Sequence, residues 1–75
     1  MLDPKIVGQT LREARISKKL SQEVISGLAD IGRTHLSAIE RGERRPTLET
    51  FFRMAAALDV PASELIREIE RKMGK

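Results

Sequence analysis

Three observations predict an all-α fold, one compact domain of five helices. With 75 residues the chain has room for a single core at most. Its apolar residues recur near every 3.6 positions, and nowhere do they alternate with the period of two that a strand requires. Helix-start signals stand at Asp3-Pro4, Ser21, Gly32, Pro46-Thr47 and Val60-Pro61, with no repeat or linker between them.

The first helix opens on an acidic cap, Asp3, followed by Pro4 at the position where a missing N–H costs nothing, and it should run to about Lys18. Val7, Leu11 and Ala14 share one face, with Arg15 at its edge, while Ile16 lies off the stripe and is expected at the surface. Ser21 caps a short second helix that ends near Ala29, with Val24, Ile25, Leu28 and Ala29 as its apolar face. Asp30 stands where a left-handed residue would turn the chain sharply, and Ile31 follows as a buried plug. Gly32 then caps a third helix, residues 33–41, whose Leu36 and Ile39 point back at the second, and Gly42 stops it. In the fourth helix, begun by Pro46-Thr47, the expected buried face is Leu48, Phe51, Met54, Ala55 and Leu58; Asp59 ends it in another place that glycine would suit. The fifth, about residues 61–73, carries Leu65, Ile66, Ile69 and Met73 on one stripe. Its Glu64, Glu68 and Glu70 are mixed with Arg67, Arg71 and Lys72, the pattern of a solvated face with i,i+3 and i,i+4 pairs rather than of a catalytic carboxylate pair.

Composition narrows the function. There is no cysteine and one histidine, His35, so neither a disulfide framework nor a zinc cluster is expected, and stability must come from packing. No metal or other cofactor is expected. An enzyme fits poorly: the chain has no Cys, Tyr or Trp and no Gly-rich phosphate loop. No apolar run approaches the roughly 18 residues of a membrane span, and the start Met-Leu-Asp-Pro-Lys lacks a signal-peptide pattern, so a cytoplasmic location is expected and no membrane partner. The net charge is +3, and all of it arises before residue 47: residues 1–46 hold nine Lys/Arg against six acids, residues 47–75 five of each. Such a surplus favours a polyanionic partner. Arg41, Arg44 and Arg45 crowd together directly after the third helix, although a solvated loop would give the same run.

Two short helices joined by a tight turn, the second opening on polar residues, have the physical form of a helix-turn-helix, in which one helix braces the other against the DNA major groove. The segment spans about residues 21–41. Here the chain closely resembles the phage-repressor-like (XRE, or Cro/repressor) helix-turn-helix family. The resemblance is carried by Leu11-Arg12-Glu13-Ala14-Arg15, Leu20-Ser21-Gln22-Glu23, Leu36-Ser37-Ala38-Ile39-Glu40-Arg41-Gly42 and Ala57-Leu58-Asp59-Val60. It departs at Ser26, where the family usually has Ala, at Asp30, where it has Gly, and at Gly32, where it has Ser or Thr. Gly27, inside the second helix, should cost roughly 1 kcal/mol relative to alanine.

The resemblance implies a lambda-repressor-like domain and a sequence-specific transcriptional regulator of bacterial or phage origin whose partner is double-stranded DNA. Within that class the chain is similar to controller proteins of restriction-modification systems and to small phage-type repressors. A protein-interaction module or antitoxin-like partner that keeps the same fold is the alternative. Carried over residue by residue, the family pattern makes Gln22 a phosphate contact that also steadies residue 33, and makes Arg33, Thr34, Ser37 and Ala38 the face seen by the bases. The chemistry agrees: Arg matches the two acceptors of guanine, Thr and Ser donate or accept, and Ala can meet a thymine methyl. The lesser alternative for Thr34 and Ser37 is that they are ordinary exposed helix residues. His35 flanks that face and is expected on a phosphate or in solvent, and Arg41, Arg44 and Arg45 are expected to clamp phosphates. By the same resemblance Arg15 and Glu40 form a structural ion pair between the first helix and the third.

A homodimer is expected, because so small a core is marginal alone and because Ile66, Ile69 and Met73 continue the stripe of the fifth helix beyond what one domain would cover. Phe52 would contribute to that interface. The same stripe could also pack wholly within one chain.

Overall fold

The computed structural model describes residues 1–74, which form five α-helices and their connections, with no strand among the described residues. They are α1 (Pro4–Ser17), α2 (Gln22–Ala29), α3 (Arg33–Glu40), α4 (Leu48–Leu58) and α5 (Ala62–Lys72). Three starts are capped by side chains. The Asp3 carboxylate accepts from Lys5 N–H at 2.9 Å, Ser21 Oγ from Val24 N–H at 3.1 Å, and Thr47 Oγ1 from Thr50 N–H at 3.1 Å. Gly32 offers no such group, so α3 starts without a side-chain cap.

Four helix ends share one device. A residue in the left-handed region follows the helix, and the next N–H reaches back to a carbonyl five residues earlier. The left-handed residues are Lys19 (φ 59°), Asp30 (φ 53°), Gly42 (φ 79°) and Asp59 (φ 57°). The closing bonds are Leu20 N–H to Arg15 O, Ile31 N–H to Ser26 O, Glu43 N–H to Ala38 O and Val60 N–H to Ala55 O, between 2.9 and 3.1 Å. These sharp stops keep the connections short and let α2 turn directly into α3.

The core gathers Val7 and Leu11 of α1, Ile25 and Ala29 of α2, Ile31, Leu36 and Ile39 of the turn and α3, Phe51, Met54, Ala55 and Leu58 of α4, and Leu65 and Ile69 of α5. Several residues lie elsewhere than the apolar period predicts. Val24 and Leu28 are exposed because α2 packs only the Ile25/Ala29 strip inward; its remaining apolar residues lie a turn's fraction around the helix. Leu48 is 70% exposed, since it occupies the first position of α4, beyond the reach of the core. Ile69, expected at a dimer interface, is 4% exposed within the single chain, because α5 lies against both α1 and α4 and the two cover its central stripe.

Two glycines set how α1 crosses α3. A Cβ on Gly8 would fall 2.1 Å from the Ile39 carbonyl oxygen and 2.8 Å from that of Glu40, so only a bare backbone fits there. At Gly42, which combines positive φ with a neighbour, a Cβ would fall 2.7 Å from Lys5 Cα. Farther along, Lys72 Nζ joins α5 to α1 through Thr10 Oγ1 at 3.1 Å and Glu13 Oε1 at 2.5 Å.

Candidate nucleic-acid interface

α3 divides its residues between two sides. Leu36, Ile39 and Glu40 are buried, while Arg33, Thr34 and His35 are exposed and Ser37 and Ala38 partly so. The i, i+3, i+4 geometry puts Arg33, Thr34 and Ser37 on one outward strip. Together with Gln22 of α2 and Arg41 they line a shallow polar cleft. The turn Asp30–Gly32 holds the two helices in this relation.

The strip is fixed from behind by a buried polar junction. Glu40, whose side chain is 2% exposed, accepts from Arg15 Nε at 2.7 Å and from Arg15 Nη2 at 3.0 Å, a two-pronged pair between α1 and α3. Arg15 Nη1 donates to the Leu20 carbonyl at 2.8 Å, so the connection between α1 and α2 is tied to the same point. Gln22 Nε2 donates to Glu40 Oε1 at 3.1 Å and adds α2. The hydrogen bond to Glu40, ahead of the cost of burial, raises the Arg15 pKa above its ordinary value. Three helices are thus locked at one carboxylate, and among the described residues no buried side-chain polar atom lacks a partner.

Gln22 therefore has a structural partner that the resemblance did not assign to it, while the residue also lines the cleft. Arg41 Nη1 donates to Ser37 Oγ, and its Nε and Nη2 donate to Glu43 Oε2 and Oε1 at 3.0 and 3.1 Å. Arg44 is exposed. Arg45 stands apart from the cleft: its Nη1 donates to the Leu2 carbonyl at 3.1 Å, and it borders a different feature, a groove of about 640 Å³. That groove is mainly apolar, running between the N-terminal residues, the start of α4 and α5, with Leu2, Leu48, Phe51, Ile66 and Met73 along it.

Of the four residues expected at a dimer interface, Phe52 (55%) and Ile66 (40%) are exposed, Met73 is partly buried against the core, and Ile69 belongs to the core. Leu48 was missed as an exposed residue, yet it stands one turn before Phe52 on α4, a spacing that could have revealed the shared face. Glu43 was missed altogether, because a pair two residues apart beyond the helix end has no periodic signature. Among the described residues no three His, Cys, Asp or Glu side chains gather as metal ligands, and no helix is long and apolar enough to cross a membrane.

Comparison with known proteins extends the picture. The control protein C.MunI of Mycoplasma sp is 38% identical over 74 residues, which cover 96% of this chain and 100% of that protein. An uncharacterized HTH-type transcriptional regulator, y4dJ of Sinorhizobium fredii, is 37% identical over 62 residues, covering 83% of this chain and 80% of its own. Among solved structures, the restriction-modification controller protein C.AhdI from Aeromonas hydrophila superposes with a TM-score of 0.82 at 38% identity, over 87% of this chain and 98% of that one. A family model described as helix-turn-helix matches residues 11–65. That match runs from Leu11 in α1 to Leu65 in α5 and so takes in the Arg15–Glu40 brace as well as the turn it supports: the chain belongs to the helix-turn-helix family, of the phage-repressor-like (XRE) type.

Proposed function

We propose that this DNA-binding transcriptional regulator acts as a symmetric dimer on a palindromic operator, with α3 of each copy in the major groove. The observation that carries the reading is the outward strip of α3, polar and open, on a helix whose opposite side is pinned to α1 and α2 through Glu40. Rigid support matters because bidentate recognition of a base edge tolerates little displacement. Arg33, Thr34, Ser37 and Ala38 read bases in this account. Gln22, His35, Arg41 and Arg44 hold phosphates, and Arg45 joins them only by leaving the Leu2 carbonyl. Phe52 and Ile66 meet their counterparts across the two-fold axis, with Met73 at the margin. The full-length match to a control protein supports a restriction-modification controller role, in a bacterial cytoplasm, over that of a phage-type repressor.

Selection of binding sites from random duplexes tests this directly. The expected result is one short motif repeated in inverted order, with centres about 34 Å apart, one turn of DNA. Recovery of no enriched motif at low salt would instead favour a protein-interaction or antitoxin-like module.

A further inference from the structure

Arg41 stands at the rim of the reading cleft, where a cation would meet a phosphate, yet its guanidinium is already occupied. Two of its nitrogens form a fork on the Glu43 carboxylate at 3.0 and 3.1 Å, and the third donates to Ser37 Oγ on the outward strip of α3. A carboxylate in this two-pronged geometry offers the guanidinium the same planar pair of acceptors that a DNA phosphate would. Arg41 cannot serve both in that arrangement. The hydrogen bond from Arg41 also takes up one acceptor lone pair of the Ser37 hydroxyl and fixes its direction, and the functional reading assigns that hydroxyl to a base.

We propose that Glu43 is an intramolecular competitor for phosphate at Arg41, a clasp that closes over the reading strip in the free protein and must open for Arg41 to engage DNA. The proposal rests on the DNA-binding reading above. Both partners are more than half exposed, 53% and 60%, so water and salt weaken the clasp and DNA can displace it. Opening it leaves the Glu43 carboxylate near the DNA backbone, where it draws a cation back from solution and offsets part of the counterion release that drives binding. Glu43 thus lowers affinity for DNA of every sequence and flattens its salt dependence. A residue of this kind limits non-productive residence on bulk DNA.

The test is a double-mutant cycle on the full chain, with fluorescence anisotropy against a short duplex of random sequence over a range of salt. Glu43→Gln is expected to tighten binding about two- to fivefold per copy and to steepen the salt slope by up to about one unit per copy. In an Arg41→Gln background the same change is expected to have little effect, since the clasp has lost its cation. If Glu43→Gln weakens binding or leaves it unchanged, Glu43 positions Arg41 or does nothing, and the clasp is wrong. If it tightens binding equally in the Arg41→Gln background, the effect is bulk repulsion of DNA by a carboxylate, and the clasp is again wrong. Absence of DNA binding by the wild-type chain and every variant removes the functional reading and the clasp together, an outcome distinct from the other two. Circular dichroism of each variant checks the fold, which neither exposed side chain supports.

Discussion

Glu40→Ala is the perturbation that bears most heavily on the architecture. The carboxylate is nearly sealed from water and accepts three hydrogen bonds, two from Arg15 and one from Gln22, and the Arg15 side chain is itself only 12% exposed. Removing the acceptor leaves a guanidinium enclosed with one remaining partner, the Leu20 carbonyl. Breaking a buried pair by deleting one member costs about 3–5 kcal/mol, because the other charge is left uncompensated. Partial exposure of Arg15 and its bond to Leu20 put this case near the lower end, about 3 kcal/mol. Domains of this size have a total stability of only about 4–11 kcal/mol. Thermal and urea unfolding followed by circular dichroism should therefore show a large loss for Glu40→Ala, and a similar one for Arg15→Ala. The double variant Arg15→Met with Glu40→Leu should recover much of it, since apolar replacement of both partners removes the stranded charge. A loss below about 1 kcal/mol for Glu40→Ala, the level of an exposed pair, would refute the brace.

Other outcomes follow from single features. Lys19→Gly should stabilise the fold by about 0.5–1 kcal/mol, since φ 59° strains a side chain but not glycine; urea denaturation reads this. Ile66→Lys combined with Phe52→Lys should give a folded monomer in sedimentation equilibrium, whereas Ile69→Lys should unfold the chain, because only the last of these is enclosed within one copy. Hydrogen bonds from Lys72 and Arg71 hold the Glu13 and Glu68 carboxyls below their ordinary value of 4.5. Their contribution is fully present above about pH 4.5 and is lost as pH falls through the lowered folded values, so Glu13→Gln should flatten the acid limb of Tm against pH.

The helix ends were the most legible part of the sequence. Asp30 stands where a left-handed residue would turn the chain sharply, a conformation Asp tolerates, and Asp59 ends its helix where glycine would suit; both have positive φ. Lys19 escaped notice, since lysine carries no turn signal and only the geometry of the α1–α2 connection demands the conformation. Periodicity located every helix but misjudged how much of each is covered. It reports the direction a residue faces, not how many neighbours stand opposite, so Leu48 and Leu28 were expected inside and Ile69 at a partner surface. Gly8 shows the same limit from the other side: nothing within α1 indicates that the Ile39 carbonyl will lie against it. In the site, the strip of α3 was visible because its buried residues define its open ones. The link from Gln22 to Glu40 and the bond from Arg45 to Leu2 join positions remote in sequence, 18 and 43 residues apart, and composition alone gives no register between them.

In the proposed function the outward strip of α3 reads sequence while the loop after it holds the backbone. Titration of Arg33→Ala and Arg44→Ala against the selected operator and a mutated operator, over a range of salt, separates the two roles. Losing a bidentate base contact should cost Arg33→Ala about 1–3 kcal/mol on the operator and relax preference at one position per half-site. Losing a phosphate contact should make Arg44→Ala weaker on both duplexes alike and reduce the magnitude of the salt slope by roughly one unit per contact. The ratio of operator to mutated-operator affinity should fall for Arg33→Ala and stay nearly intact for Arg44→Ala. A uniform loss on both duplexes for Arg33→Ala, with base preference altered by Arg44→Ala, would contradict it.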